Sequence, residues 1–321
     1  MSHRFDRPGA LHRCIGLFCL AIVLAHAPNS LAQTVQANQA DLARGQSQAA
    51  GLNAYPSGVV DGQVVPSPND ADLGEQQILK RSDQYQPFTA SVALPVYWTS
   101  NVALTSSHVQ SDFLEAPVAA LFYQPRFTNT LYGIVGVREQ LFYYDRYGAL
   151  NFGSFDAEAG LIYLIPQWHN LVVRGEFIYN RLTEKNSFES FFSNYSIYVN
   201  AEVPFRINRA QQISLGVDAN ISITADPEPP RRNDYDAYIG YSVSLTRSFS
   251  FDAVGRVVVR TYQLTDRVDV SEIVAASVTY NLNKYMTASV ISTFVANQSN
   301  HSVFDYQVVN VGGLLSLSVK F

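Results

Sequence analysis

From Phe88 to the last residue, apolar and polar side chains alternate with a period of two along almost the whole chain. The middle is clearest. Tyr195, Ile197, Val199, Ala201, Val203 and Phe205 alternate with Asn194, Ser196, Tyr198, Asn200 and Glu202. Ile213 to Ile223 and Tyr235 to Leu245 repeat the pattern against Gln212, Ser214, Asp218, Asn220 and then Asp236, Tyr238, Ser242. Side chains alternate across a strand, so each segment predicts a strand with one apolar and one wet face. The same reading places strands at 88–98, 116–123, 130–144, 154–165, 171–180, 249–260, 271–282, 285–296 and 305–321. Two positions resist it. Pro95 removes a ladder donor inside the first strand, which a bulge or strand end tolerates. Glu139 falls on the apolar parity of the third, which implies a bulge that shifts the register.

The strands number about twelve, and their connections alternate in length. Residues 99–115, 145–153, 181–193, 225–234, 264–270 and 297–305 form long polar links, and the intervening turns are short. An even count of two-faced strands with this asymmetry predicts an all-β fold, a transmembrane antiparallel up-and-down β-barrel over 87–321. Phe88, Tyr163, Phe205, Phe249, Tyr280, Tyr285 and Phe321 fall at the turn ends, and Trp98, Tyr143, Phe155, Tyr179, Tyr195, Tyr235 and Phe294 toward the loop ends. Two aromatic girdles follow, with both termini expected in the periplasm of a bacterial outer membrane.

The first 86 residues lack the alternation. Arg4, Arg7 and Arg13 precede an apolar run from Cys14 to Ala25, and Ser30-Leu31-Ala32 offers a small-residue cleavage site, so 1–32 reads as a signal peptide. Residues 33–86 are rich in Gln, Ala, Gly and Pro and read as a flexible, largely unstructured periplasmic extension, with a short helix near Leu73 to Lys80. A plug inside the barrel is the other role open to them. The chain's two cysteines, Cys14 and Cys19, leave with the signal, which removes thiol chemistry. Charged residues are only 15%, the net charge is -5, and no basic cluster occurs, which argues against a nucleic-acid partner.

The polar parity carries the candidate chemistry. Asp156, Glu158, Arg174, Glu176, Glu202, Asp218, Asp252, Arg256 and Arg260 would line the lumen. Mixed charge of this kind either shapes the field for passing solutes or fills the barrel with ion pairs. Phe188, Phe191 and Phe192 in the third long link are candidates for a constriction. Catalysis would need a nucleophile held beside a base, and His108, His169 and His301 all fall in loops or turns, with His301, Ser302 and Asp305 the nearest approach to a constellation. No metal-ligand spacing and no cofactor motif appears.

The chain ends with apolar residues at every second position up to Val319 and Phe321, which resembles the C-terminal assembly signal of bacterial outer-membrane barrels; Ser316 stands where that signal often has Gly. The first hairpin, Val96-Tyr97-Trp98-Thr99-Ser100-Asn101-Val102 with Ser111-Asp112-Phe113-Leu114, resembles the β-barrel porin 2 group and the outer-membrane barrels of exosortase and polysaccharide-export loci. The last hairpin, with Gln298-Ser299-Asn300, Phe304-Asp305-Tyr306 and Asn310, is similar to theirs. The resemblance implies a porin-like barrel, recognised through its C-terminal strand by the barrel-assembly machinery and surrounded by outer-membrane lipid and lipopolysaccharide. The expected function is a passive channel for small hydrophilic solutes. The alternatives are a non-conducting structural, adhesive or polysaccharide-export-associated barrel and, third, an embedded hydrolase.

Overall fold

The computed structural model describes residues 35–40, 42, 85–185 and 189–321. The signal peptide and the helix expected at Leu73 to Lys80 lie outside these residues. Thirteen strands follow in chain order: β1 (Phe88–Thr99), β2 (Asp112–Glu115), β3 (Val118–Tyr123), β4 (Leu131–Tyr144), β5 (Phe152–Ile165), β6 (Leu171–Glu184), β7 (Ser190–Asn208), β8 (Gln211–Asp226), β9 (Arg232–Ser244), β10 (Phe249–Tyr262), β11 (Val268–Asn281), β12 (Met286–Ser299) and β13 (Tyr306–Lys320). Each pairs antiparallel with its neighbours, and β13 returns to β1 from Thr89↔Lys320 to Thr99↔Asn310, so the sheet closes.

Strands β2 and β3 are one stave in two pieces, since both lie between β1 and β4. The barrel therefore has twelve staves. The break falls at Ala116-Pro117: Pro117 has no N–H to give, and its carbonyl accepts from Leu141 while Ala116 donates to Pro95. The upper piece, Asp112–Glu115, lies within a stretch expected to be loop.

Other strands also run past their expected ends, and the loops after β6, β8 and β10 shrink to 185–189, 227–231 and 263–267. A hydrogen-bonded ladder continues after the apolar parity stops, because pairing needs backbone groups and not an apolar face. Loop 1 (100–111) is the longest connection.

The apolar parity faces outward. Val92, Leu94, Val96, Trp98, Val135, Val137, Leu161, Phe177, Val199, Val217, Ile239, Val257, Val274, Val290 and Leu315 are all exposed on the outer wall. A continuous apolar band of this kind suits a surrounding of lipid chains. Glu139 faces outward too, and no register shift occurs in β3–β4 or β4–β5 to turn it. The expected bulge is absent. Glu139 instead lies in one row with Phe155 and Arg181, in the loop-side girdle, where the cost of an outward charge is small. Bulges do occur between β7 and β8: Tyr195 pairs with Thr224 and Ser196 with Ser222, so Ile223 is unpaired and Ala225 turns inward.

Inside, large aromatic rings lie flat where the facing residue is glycine. A Cβ on Gly216 would stand 2.1 Å from Tyr238 Cζ, and one on Gly136 2.2 Å from Phe122 Cε1. The rings occupy the missing side chains' space, and Phe122 packs there with Tyr132, Ile134, Ile162 and Leu164.

Candidate functional site: the barrel interior

All nine residues expected to line the lumen lie on inward positions of β5 to β10, and Arg138, Arg232, Asp234 and Asp236 join them on the same parity. Alternation already puts Asp236 and Arg138 on the polar parity, and extending the strand read at Tyr235 to Leu245 back toward residue 232 would have added Arg232 and Asp234. Together they form a charged arc over about half the circumference. Arg174 Nε approaches Glu176 Oε1 at 3.3 Å, two residues along one strand and hence on one face. Arg256 Nη1 meets Asp236 Oδ2 at 3.0 Å, with its guanidinium 5.4 Å from the centre of the Tyr238 ring. Asp234 accepts from Arg232 at 3.0 Å and lies 3.8 Å from Arg260.

Carboxylates outnumber the arginines along the arc, and neutral groups hold several of them. Tyr238 donates its hydroxyl proton to Glu202 Oε2 at 2.7 Å and accepts from Asn200 at 3.1 Å. Asn180 donates to Asp156 Oδ1 at 2.6 Å, and Ser242 donates to Asp252. The opposite wall, β11 to β13 with β1, presents mostly small and hydroxyl side chains, Ala93, Ala275, Ser277, Thr279, Ser289, Thr293 and Ser316, with Ile291 and Leu314 buried among them and Asp269 bonded to Arg267 at its loop end. Thr279 and Ser289 share a hydrogen bond of 2.8 Å, as do Thr287 and Ser316 at 2.7 Å. A one-sided field thus crosses the middle of the barrel, from an acid-rich arc to a neutral wall.

The loop-side end is built differently. Tyr97, Leu114, Ala116, Phe142, Phe152, Leu182, Phe192 and Ala225 form an inward apolar cluster, and Phe191 packs on it. Phe191 and Phe192 therefore stand at the narrowed end, and Phe188 lies outside the described residues. Loop 1 contributes more than expected. Asn101, fully buried, donates to the carbonyls of Thr105 and Gln307 and accepts from Thr105 N–H, which folds Val102 and Leu104 into the barrel mouth. Asp112 braces the same end by accepting the N–H groups of Phe113, Arg146 and Tyr147. The first-hairpin residues Asn101 and Asp112 are thus loop anchors.

Part of the N-terminal extension also lies here. Residues 35–40 and 42 are helical and pack inside the barrel: Ala40 belongs to the loop-side cluster, and Leu42 packs with Leu104, Val295, Tyr306 and Val308.

His301 Nε2 lies 2.8 Å from Asp266 Oδ1 and not beside Ser302, so it ties the last two loops together. That contact holds the Asp266 carboxyl below its ordinary pKa. Asp305 accepts from the N–H of Ser299. His169 closes a turn in the left-handed region and lies 5.9 Å from the Phe205 ring. Among the described residues no three His, Cys, Asp or Glu side chains are grouped as a metal site would require.

No family model matches the chain, and no curated protein does. Solved structures do. An outer membrane channel from Pseudomonas putida F1 superposes with a TM-score of 0.55 at 8% identity, over 75% of this chain and 100% of that one. KdgM porin (TM-score 0.38, 9% identity, 70% and 97% covered) and the outer membrane phospholipase of Salmonella typhi (0.44, 12%, 81% and 98%) are more distant and carry no argument. The likeness is one of fold: a twelve-stave barrel of the outer-membrane type.

Proposed function

We propose that the protein is a passive outer-membrane channel for small hydrophilic solutes, with no enzymatic step, the C-terminus periplasmic and the mature chain starting at Gln33, close before residues 35–40 and 42 inside the barrel. The charged arc carries this reading. Charges facing a closed, dry core would cost several kcal/mol each unless fully paired, yet Glu202 and Asp252 are held by the neutral hydroxyls of Tyr238 and Ser242. Such an arrangement suits a water-filled passage. Val319 and Phe321, at the end of the closing strand, are the residues the assembly machinery would read, as the resemblance implies. The channel seen in the Pseudomonas putida barrel of similar fold agrees with this reading but does not extend to a solute.

One observation favours the second reading, a non-conducting barrel with working loops: the loop-side end is filled by apolar side chains and by residues 35–40 and 42. Planar-bilayer recording separates the two. Discrete current steps are expected after deletion of residues 33–86, and their absence would sink the channel. Arg256→Ala with Arg260→Ala should shift selectivity toward cations, because Asp236 loses its counter-charge and Asp234 keeps only Arg232; unchanged selectivity would place both arginines off the pathway.

A further inference from the structure

We infer that the loop-side cup inside the barrel is a binding site for the chain's own residues 35–42, and that this segment is a removable stopper. The inference rests on the channel reading and adds its closed state.

The segment fits the cup by its composition. A helix with ordinary side chains is about 10–12 Å across, so small side chains ease its fit inside a barrel already lined by aromatics. Here the side chains at 37 and 40 are alanine, one turn apart on one face, and that face meets the apolar cluster. Three further contacts fix its position. Gln39 Nε2 donates to the carbonyl of Val102 at 3.0 Å, in loop 1. Arg232, at the loop end of β9, donates to Asn38 Oδ1. Leu42 enters a separate apolar pocket of Leu104, Val295, Tyr306 and Val308. Asn38, Gln39, Ala40 and Leu42 are all buried.

Two walls of the cup contact this occupant. Loop 1 folds inward through Asn101, and its Val102 carbonyl is the acceptor for Gln39. Arg232 divides its guanidinium between Asp234 and the segment. The hold is nonetheless light: alanines, two carboxamides and one leucine contribute the contacts among the described residues. A segment held so lightly exchanges with an undocked state, and any influence that favours that state shifts the population.

Two readouts on the full chain test this. In the first, Ala37→Cys is introduced into the protein in lipid vesicles and challenged with a water-soluble maleimide. Slow labelling is expected, with labelling at least about tenfold faster when Leu42→Asp is added, the size of effect that withdrawing one buried leucine produces. If Ala37→Cys alone reacts as fast as an exposed loop control, Val303→Cys, the segment is not lodged and the inference is overturned. In the second, single-channel recording should show the Leu42→Asp protein open far more often than the native one, and a synthetic peptide covering residues 33–44 should restore the block. Equal currents in the two proteins would overturn the stopper. Faster labelling in the Leu42→Asp protein with no current in any variant would refute the channel reading itself, a result distinct from a segment that never docks.

Discussion

At the scale of single residues, the interior depends on small side chains placed opposite large ones. Tyr238 shows this best. Its ring lies over Gly216, its hydroxyl links Asn200 to Glu202, and its face receives Arg256, so one side chain organises three neighbouring staves. The ring holds that position only because residue 216 has no Cβ. Gly216→Val should therefore displace it and destabilise the barrel by about 1–3 kcal/mol, the usual cost of overpacking. The displacement also frees Glu202 and Arg256, so selectivity should change along with stability. Adding Tyr238→Ala should recover most of the stability and none of the selectivity. Urea unfolding in lipid vesicles measures the first effect. A double mutant no more stable than Gly216→Val alone would show that the loss comes from the strand backbone and not from the ring.

At the scale of elements, closure between β1 and β13 is the step on which the barrel depends, and its register makes a sharp prediction. Phe88 and Phe321 exchange both backbone hydrogen bonds, each at 3.0 Å, so they form a hydrogen-bonded pair. Pair types alternate along an antiparallel ladder, which makes Ser91↔Ser318 a non-hydrogen-bonded pair with close Cβ atoms, both turned inward. Ser91→Cys with Ser318→Cys should form a disulfide without strain, visible as a mobility change on unreduced gels. Ser91→Cys with Leu317→Cys, one residue out of register and on opposite faces, should not. Cross-linking in the second pair alone would overturn the register.

The staves themselves were legible because a period of two survives wherever one face meets lipid. That periodicity does not report where a ladder ends, so β2 and the outer parts of β6 to β8 read as loop. It is also blind to a bulge such as that at Ile223, which turns Ala225 inward against its parity. Charges inside the barrel were readable because they share a parity. In the apolar loop-side cluster Phe191 and Phe192 were legible as aromatics of the third long link, whereas Asn101, Val102 and Leu104 sit in a polar stretch without periodicity, and their inward turn is set by hydrogen bonds to Thr105 and Gln307.

At the scale of the whole molecule, the barrel is polar along its axis as well as across it. The turn side carries the two joined strand ends and a stacked aromatic series, Tyr123, Phe88 and Phe321, with ring centres 4.7 and 5.5 Å apart. The loop side carries a second series, Phe155, Tyr179 and Tyr195, and above it loop 1 and the tied loops of Asp266 and His301. Two girdles on an apolar band define how deeply the barrel sits in a membrane but not which way it faces, since both ends carry aromatics. Orientation rests on the connections, and the extended strands leave the two ends less unequal than the sequence suggests. The longest connection, loop 1, and the joined ends of β1 and β13 still lie at opposite ends. With short turns toward the periplasm, as in barrels of this type, Val303 should face the outside of the cell and Lys284, in the turn after β11, the periplasm. The mature chain as read here has no cysteine, so single cysteines report cleanly. Val303→Cys should react with a bulky polyethylene-glycol maleimide on intact cells, and Lys284→Cys only after the outer membrane is permeabilised. The reverse pattern would invert the barrel and put the cup that holds residues 35–40 and 42 at the periplasmic mouth.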